Sequence, residues 1–193
     1  MKKILDPEED YFNQKRTRNS QNTDSFDYNC AGYCLNTYCW YNPYDDLMKQ
    51  ENCDDMIELV ELLFNFYGFQ EADVYEELLK TAKNKILKDF DGEVRVIQSF
   101  KQVKQNEKLV IYKIGIDYEF SLPLGIYTIG NCDFHFKQMD KLISNEEGYW
   151  SHKPGGTKII KTCQSIEDVI KNPWVREDDW AYDSDCILFA VKR

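Results

Sequence analysis

The hydrophobic pattern of the chain changes its period near Gly92, and this change narrows the choice of folds. Before Gly92, apolar residues recur every three or four positions, which predicts helices over 54–68 and 72–89. After Gly92, short runs rich in β-branched and aromatic residues predict strands, at 94–97, 109–116, 125–129, 134–136, 149–153 and 186–191. Helices followed by an antiparallel sheet are typical of the α+β class.

Two further helices and a polar arm complete the predicted organisation. The semi-apolar segment 30–40 suits a buried helix, and 166–171 suits a short helix with acidic residues in its first turn. All of these elements fall within 29–193, which we interpret as one domain, long enough to bury a core. Residues 1–28 are polar and show no apolar periodicity, so they are predicted to form an irregular N-terminal arm.

The charge of the chain restricts its partners. The sequence has 34 acidic and 24 basic residues, which gives a net charge of −10. Such a surface repels phosphate backbones, so tracking along nucleic acid is not expected, whereas a basic protein partner is compatible with it. The chain begins with two lysines but no apolar run, and no stretch approaches the roughly 18 apolar residues of a membrane span. We therefore expect a cytoplasmic protein without a membrane segment.

The seven cysteines do not form a metal-binding pattern. Cys30 and Cys34 would share one face of a helix and Cys39 follows, but zinc sites usually combine two separated, closely spaced pairs. Cys132 and Cys163 are isolated in the sequence. Because no secretory signal is present, the thiols are expected to be reduced, and neither a metal nor a cofactor is predicted.

Cys30 and the two histidines are the candidate catalytic residues. Cys30 lies at a predicted helix start, where the helix dipole and free backbone N–H groups lower the pKa of a thiol. His135 and His152 lie on two predicted neighbouring strands, which run about 4.8 Å apart, so their rings meet if both face the same way. We predict that His135 is the base and that His152 orients it. The alternative is structural: a buried core thiol, a sheet histidine and a turn cap.

Five more residues are predicted to support this site. Asp133 and Asp185 are reserve carboxylates that could orient a histidine. Asn29 and Tyr33 flank the thiol, and Trp150 alternates with His152 on one strand, so these three are predicted to contact the substrate. Trp150 is equally suited to the core.

Three sequence motifs resemble a known set. They are N-C-A-G-Y-C-L-N at 29–36, D-F-H-F at 133–136 and G-Y-W-S-H-K-P-G at 148–155. Together they are similar to motifs of a poorly characterised group of bacterial and phage proteins. The order of a cysteine at a helix start and then histidines on successive strands resembles the papain-like superfamily, in which cell-wall peptidases of the NlpC type use a second histidine. The chain departs from the group at Cys34, which replaces the usual alanine, and in the long segment 117–130.

The resemblance implies a papain-like α+β fold and a cysteine-dependent hydrolase or acyl-transfer enzyme. Its substrate would be a peptide or protein amide, cleaved by a peptidase, amidase or deamidase reaction through Cys30, His135 and His152. The alternative is a non-enzymatic, acidic binding or inhibitor protein, for example a phage-borne antagonist of a bacterial defence system. Small size and acidic charge are compatible with that second class.

Overall fold

The computed structural model describes residues 28–155, 157–176 and 180–193. It is an α+β structure in which helices come first and a largely antiparallel sheet follows, as the sequence predicts. The helices are α1 (Cys30–Cys34), α2 (Asp45–Glu51), α3 (Met56–Glu61), α4 (Glu71–Asp89) and α5 (Ile166–Lys171). The strands are β1 (Val94–Ile97), β2 (Glu107–Ser121), β3 (Ile126–Leu142), β4 (Glu147–His152), β5 (Ile160–Ser165), β6 (Trp174–Val175), β7 (Ala181–Tyr182) and β8 (Ile187–Lys192).

Helices α3 and α4 form as the hydrophobic period predicts. Residues at four-residue intervals along α4 are completely buried: Val74, Leu78, Ala82 and Ile86. Burial of each of the three larger side chains stabilises the fold by roughly 1.5–3 kcal/mol. The Asp55 carboxylate caps α3 by accepting a hydrogen bond from the Glu58 amide at 2.9 Å. The predicted helix over 54–68 is not uniform, because its second half, Leu62–Phe66, is a π-helical turn.

The first predicted helix is shorter than the apolar pattern suggested. Helix α1 ends at Cys34, since Asn36 and Tyr38 adopt positive φ angles of 62° and 52° and turn the chain back. Gly32 allows this return: a Cβ there would lie 1.9 Å from the Cys39 carbonyl oxygen. Trp40, expected in this buried helix, is 57% exposed. The sequence pattern did not predict helix α2. None of its residues is buried, so it has no apolar stripe that would mark it as a helix.

In the described part of the chain, six strands form an antiparallel sheet in the order β1-β8-β2-β3-β4-β5. The last strand, β8, lies inside this sheet between β1 and β2, as its continuous apolar run predicts. Strands β6 and β7 form a separate two-stranded ribbon. The histidine-bearing strands β3 and β4 are direct neighbours, with Gln138 opposite Ser151.

The segment 117–130 extends a long hairpin of β2 and β3. Residues 125–129 and 134–136, predicted as separate strands, belong to one strand that pairs with β2 along its length. A bulge at Asp117 and Tyr118 shifts the register of the pairing. The segment therefore lengthens one hairpin rather than adding a new element.

The sheet separates two cores. Alternate residues of β2 and β3, such as Tyr112 and Phe136, pack under α1 to α4. The other face packs against α5 and the β6–β7 ribbon through residues such as Ile111, Trp150 and Trp174. No helix among the described residues is long and apolar enough to span a membrane.

Candidate active site

Cys30, His135 and His152 line one cleft with a volume of about 1330 Å³. The cleft is lined by the start of α1 and by strands β3 and β4, and Trp174 and Tyr182 of the ribbon also line it. The three predicted catalytic residues thus line the same cavity, although more than 100 positions separate Cys30 from His135 in the sequence. Such a concave surface with convergent polar groups has the character of a binding or active site.

Asn29 holds the start of α1 in place. Its side-chain oxygen accepts a hydrogen bond from the Gly32 amide at 3.1 Å, and its Nδ2 donates to the Tyr41 carbonyl at 2.8 Å. This is an N-cap that also ties the helix to the returning loop. Asn29 lines the cleft but is 5% exposed, so its observed role is to position Cys30.

The Cys30 thiol is buried against strand β3. Its Sγ donates to the Phe134 carbonyl oxygen at 3.9 Å, which is the peptide group that leads into His135. Burial, followed by the charge of Asp133, raises the pKa of the thiol to about 12, although backbone N–H groups beside the sulfur act to lower it. The expected lowering of this pKa by the helix start is therefore wrong for this conformation, because desolvation outweighs the dipole.

The two histidines form a hydrogen-bonded pair. His135 Nε2 and His152 Nδ1 are 2.6 Å apart, and the rings meet edge to face with centroids 4.8 Å apart. The predicted approach of the two rings on neighbouring strands is thus observed in the fold. Within the described residues, this is the one hydrogen bond of the His135 ring, so its Nδ1 is left without a partner.

An aromatic residue that sequence reasoning missed supports His135. The Tyr182 ring stacks on the imidazole at 5.1 Å between centroids, and its hydroxyl donates to Asp133 Oδ2 at 2.9 Å. Asp133 also lies 3.9 Å from Arg176 Nη1. Asp133 thus belongs to the site, but it acts on His135 through Tyr182 rather than by contacting the ring. Tyr182 lies in a two-residue strand with no local motif, so the sequence carried no signal for it.

Three other predicted site residues lie away from the cleft surface. Tyr33 is fully buried and exchanges a 2.8 Å hydrogen bond with Ser151 Oγ, while Trp150 is 1% exposed and donates to the Gln164 carbonyl. Both fill the two cores, which corrects their assignment as substrate contacts. Asp185 is exposed and is not part of the cleft, so its role as an orienting carboxylate is also corrected.

Lys153, which follows His152 in the third motif, has a structural role beside the cleft. Its side chain is completely buried and donates to the carbonyls of Gly155 at 3.0 Å and Thr157 at 2.8 Å. The ammonium also lies 4.9 Å from the centre of the Tyr28 ring. Because Pro154, Gly155 and Thr157 line the cleft, Lys153 fastens one of its walls.

Both imidazoles are neutral in the folded protein. Burial, followed by the charge of His152, lowers the pKa of His135 well below its usual value. Burial and then Lys137 lower the pKa of His152 to about 3. Each neutral imidazole has one N–H group and one nitrogen lone pair. When the N–H of one ring donates to the lone pair of the other, the donor ring keeps a free lone pair, which can accept a proton.

We expect the folding stability to fall in mild acid because of this pair. The unfolded histidines bind protons below about pH 6.5 while the folded ones stay neutral, so stability present above that pH is lost as the pH falls. Each histidine contributes a slope of at most about 1.4 kcal/mol per pH unit. Urea unfolding from pH 4.5 to 7.5 measures it. The variant His152→Asn should show a shallower slope, and an identical slope in both proteins would contradict the assignment.

Some sequence predictions fall outside the described residues, and others concern thiols other than Cys30. The N-terminal arm, except for the buried Tyr28, and the acidic run at 177–179 lie outside the described residues. Cys39, which lies in the segment predicted as a buried helix, is exposed, and Cys163 is exposed as well. Among the described residues, no group of three histidine, cysteine or acidic side chains has an arrangement that would hold a metal ion.

Comparison of the chain with protein-family models, curated proteins and solved structures gave no match. The chemistry of the cleft therefore has to be derived from its own geometry. The informative features are the buried thiol of Cys30, the neutral pair of His135 and His152, and the Asp133–Tyr182 contact beside it.

Proposed function

We propose that the chain is a cysteine-dependent hydrolase or acyl-transfer enzyme that acts on an amide bond, with a papain-like site. The observation that carries this proposal is the shared cleft of Cys30 and the His135–His152 pair, in which one nitrogen of His135 is engaged by His152. A thiol, a base and a group that orients the base are the parts that nucleophilic acyl transfer needs.

The position of the hydrogen on each imidazole ring indicates a role for each histidine. If His135 Nε2–H donates to His152 Nδ1, the lone pair of His135 Nδ1 is free, and in the proposed mechanism it accepts the proton of Cys30. The resulting imidazolium keeps its hydrogen bond to His152, which stabilises the charge. The opposite tautomer has a hydrogen on Nδ1 and cannot act as a base. His152 is therefore the residue that selects the tautomer.

The reaction proceeds through a thioester. As the Cys30 sulfur attacks the carbonyl carbon, its proton passes to His135 Nδ1, and the carbonyl oxygen becomes an oxyanion. The C–N bond then breaks, and the leaving amine takes that proton from His135. Water, deprotonated by His135, attacks the thioester, which releases the acid and restores the thiol. Backbone N–H groups of Cys30 and Ala31, which lie beside the sulfur, are the candidate donors to the oxyanion.

The raised pKa of Cys30 favours general-base catalysis over a preformed ion pair. A thiol with a pKa of about 12 beside neutral imidazoles is a resting thiol and not a preformed ion pair. Proton transfer to His135 must then accompany attack on the substrate, as general-base catalysis requires. Substrate binding has to turn the sulfur from the Phe134 carbonyl towards His135, and catalytic hydrogen bonds often tighten only at that stage.

A trapped thioester tests the proposal. We expect that an activated acyl donor, such as a p-nitrophenyl ester of an acylated amino acid, adds one acyl group to the wild-type protein. Acid quenching followed by peptide mass spectrometry should locate this group on the peptide that contains Cys30. The matched control is Cys30→Ala, which keeps the six other thiols. Equal acylation of the exposed Cys39 and Cys163, with none at Cys30, would refute the enzyme.

One observation favours a second function, that of a non-enzymatic binding protein. The Cys30 thiol is 5% exposed and bonded to a backbone carbonyl, as a packing cysteine would be. The cleft would then hold a partner segment without chemistry. The same trapping experiment separates the two functions, since a binding protein leaves Cys30 unmodified.

A further inference from the structure

Lys137 lies in the cleft beside the histidine pair. It follows His135 by two residues on β3, so both side chains project from the same face of the strand, roughly 7 Å apart at the backbone. Its side chain is half-buried. Within the described residues, its ammonium has neither a hydrogen-bond acceptor nor a carboxylate partner, and its one contact is with the Trp174 ring, 4.7 Å from the centroid.

Three charged groups near Lys137 are engaged with other partners. Lys113, on the other side of the Trp174 contact, donates to the Asn172 carbonyl at 2.9 Å. Arg176 lies 3.9 Å from Asp133, and Asp133 accepts the Tyr182 hydroxyl. The Asp133 carboxylate is thus compensated by other groups, and within the described residues no carboxylate forms an ion pair with Lys137.

An unbalanced ammonium in a cleft is unusual for this chain. The protein has ten more acidic than basic residues, so carboxylates are plentiful on its surface. Burial and then the charge of Lys113 lower the pKa of Lys137 to about 8, which shows that the protonated form lacks a compensating anion. An anionic ligand in the cleft would supply that compensation and form a charge-assisted hydrogen bond.

We infer that Lys137 binds a carboxylate of the substrate next to the reacting amide. Lys137 and the proposed base His135 lie roughly 7 Å apart at the backbone, so in the inferred complex this carboxylate belongs to the part of the substrate next to the amide. The substrate class is therefore an amide whose acyl or amine portion carries a nearby carboxylate, as in an acidic peptide or an amino-acid amide with a free carboxyl group. The inference rests on the proposed function for its position relative to the reaction, but the anion site itself does not require an active thiol.

Binding of small dicarboxylates tests the anion site without catalysis. The protein is titrated with succinate and, separately, with the neutral isostere succinamide at pH 6.5, where Lys137 is protonated. Backbone and indole NMR signals of the cleft residues report binding. We expect saturable shifts at Trp174 and His135 with succinate, and an affinity at least about tenfold lower for succinamide, since the charged hydrogen bond is lost.

Matched variants identify the residue responsible. Lys137→Gln should remove the preference for succinate, whereas Lys137→Arg should keep it. Lys141→Gln, on the same strand but exposed and outside the cleft, removes the same charge and should behave as wild type. An unchanged NMR spectrum outside the cleft verifies that the variants are folded. Equal binding of both probes by wild type, or a succinate preference that survives in Lys137→Gln, would overturn the inference.

The outcomes separate this inference from the enzyme proposal. Succinate binding that depends on Lys137, together with an unreactive Cys30, would support the anion site and refute the hydrolase. A reactive Cys30 with no selectivity for succinate would support the hydrolase and refute the carboxylate site. The anion site and the hydrolase can therefore fail independently of each other.

Discussion

Replacing Cys30 with alanine should abolish turnover while the protein remains folded. The substitution removes the sulfur that forms the thioester in the proposed mechanism, so kcat should fall on the order of 10⁴-fold or more. The lost side chain is one sulfur atom at a helix start, and the cap by Asn29 does not depend on it. Activity is measured as the release of amine or ammonia from a panel of peptide, isopeptide and glutamine-containing amides. Circular dichroism and thermal unfolding verify the fold.

Cys34 provides the matched control for this variant. It lies one turn further along α1, is fully buried, and has a pKa that burial raises, so it shares the chemistry and environment of Cys30 but does not line the cleft. Cys34→Ala should cost about 1 kcal/mol of stability through a small cavity and leave kcat unchanged. Full activity in Cys30→Ala, or equal losses in both variants, would eliminate Cys30 as the nucleophile.

Replacing His135 with asparagine should lower kcat/KM by about 10²- to 10⁴-fold. The amide retains polarity near Tyr182 but cannot accept the thiol proton, so the general-base contribution is lost. Because burial and His152 lower the pKa of His135, the proposed base should stay neutral in mild acid in the wild-type protein. The acid limb of its kcat/KM profile should therefore lie well below pH 6.5, and a limb at or above pH 6.5 would contradict this environment.

His152→Asn distinguishes the orienting role from the base. Asparagine still offers an oxygen to His135 Nε2–H, so the productive tautomer survives and the loss should be about tenfold, smaller than in His135→Asn. Replacement of His152 by alanine removes that acceptor and should cause the larger loss. If His135→Asn retained more activity than His152→Asn, the two roles would have to be exchanged.

Strand pairing was the part of the site most accessible from sequence. The β-rich segments around His135 and His152 and the turn between them predicted neighbouring antiparallel strands, and β3 and β4 pair in that way. The prediction worked because strand pairing across a short turn is a local property. Strand pairing did not predict the contact with Tyr182, which stacks on His135 from a two-residue strand 47 positions further along the chain.

The state of the thiol was the least predictable feature. A helix start suggests a lowered thiol pKa, but burial of Cys30 raises it to about 12. Desolvation depends on everything packed around an atom, including the Phe134 carbonyl from a distant strand, and no local motif reports that. Trp150 and Tyr33 illustrate the same limit: alternation assigned a strand face to Trp150, but only packing distinguishes a core face from a cleft wall.

Three properties of this protein follow from its amino-acid order alone. They are its acidic charge, the change from helical to strand period at Gly92, and the choice of Cys30, His135 and His152 as candidate catalytic residues. These properties depend on composition or on neighbours within a few residues. The cleft, the neutral histidine pair and the uncompensated ammonium of Lys137 arise instead when residues far apart in sequence exclude water together. Burial and charge compensation are sums over three-dimensional neighbours, so the folded chain determines them.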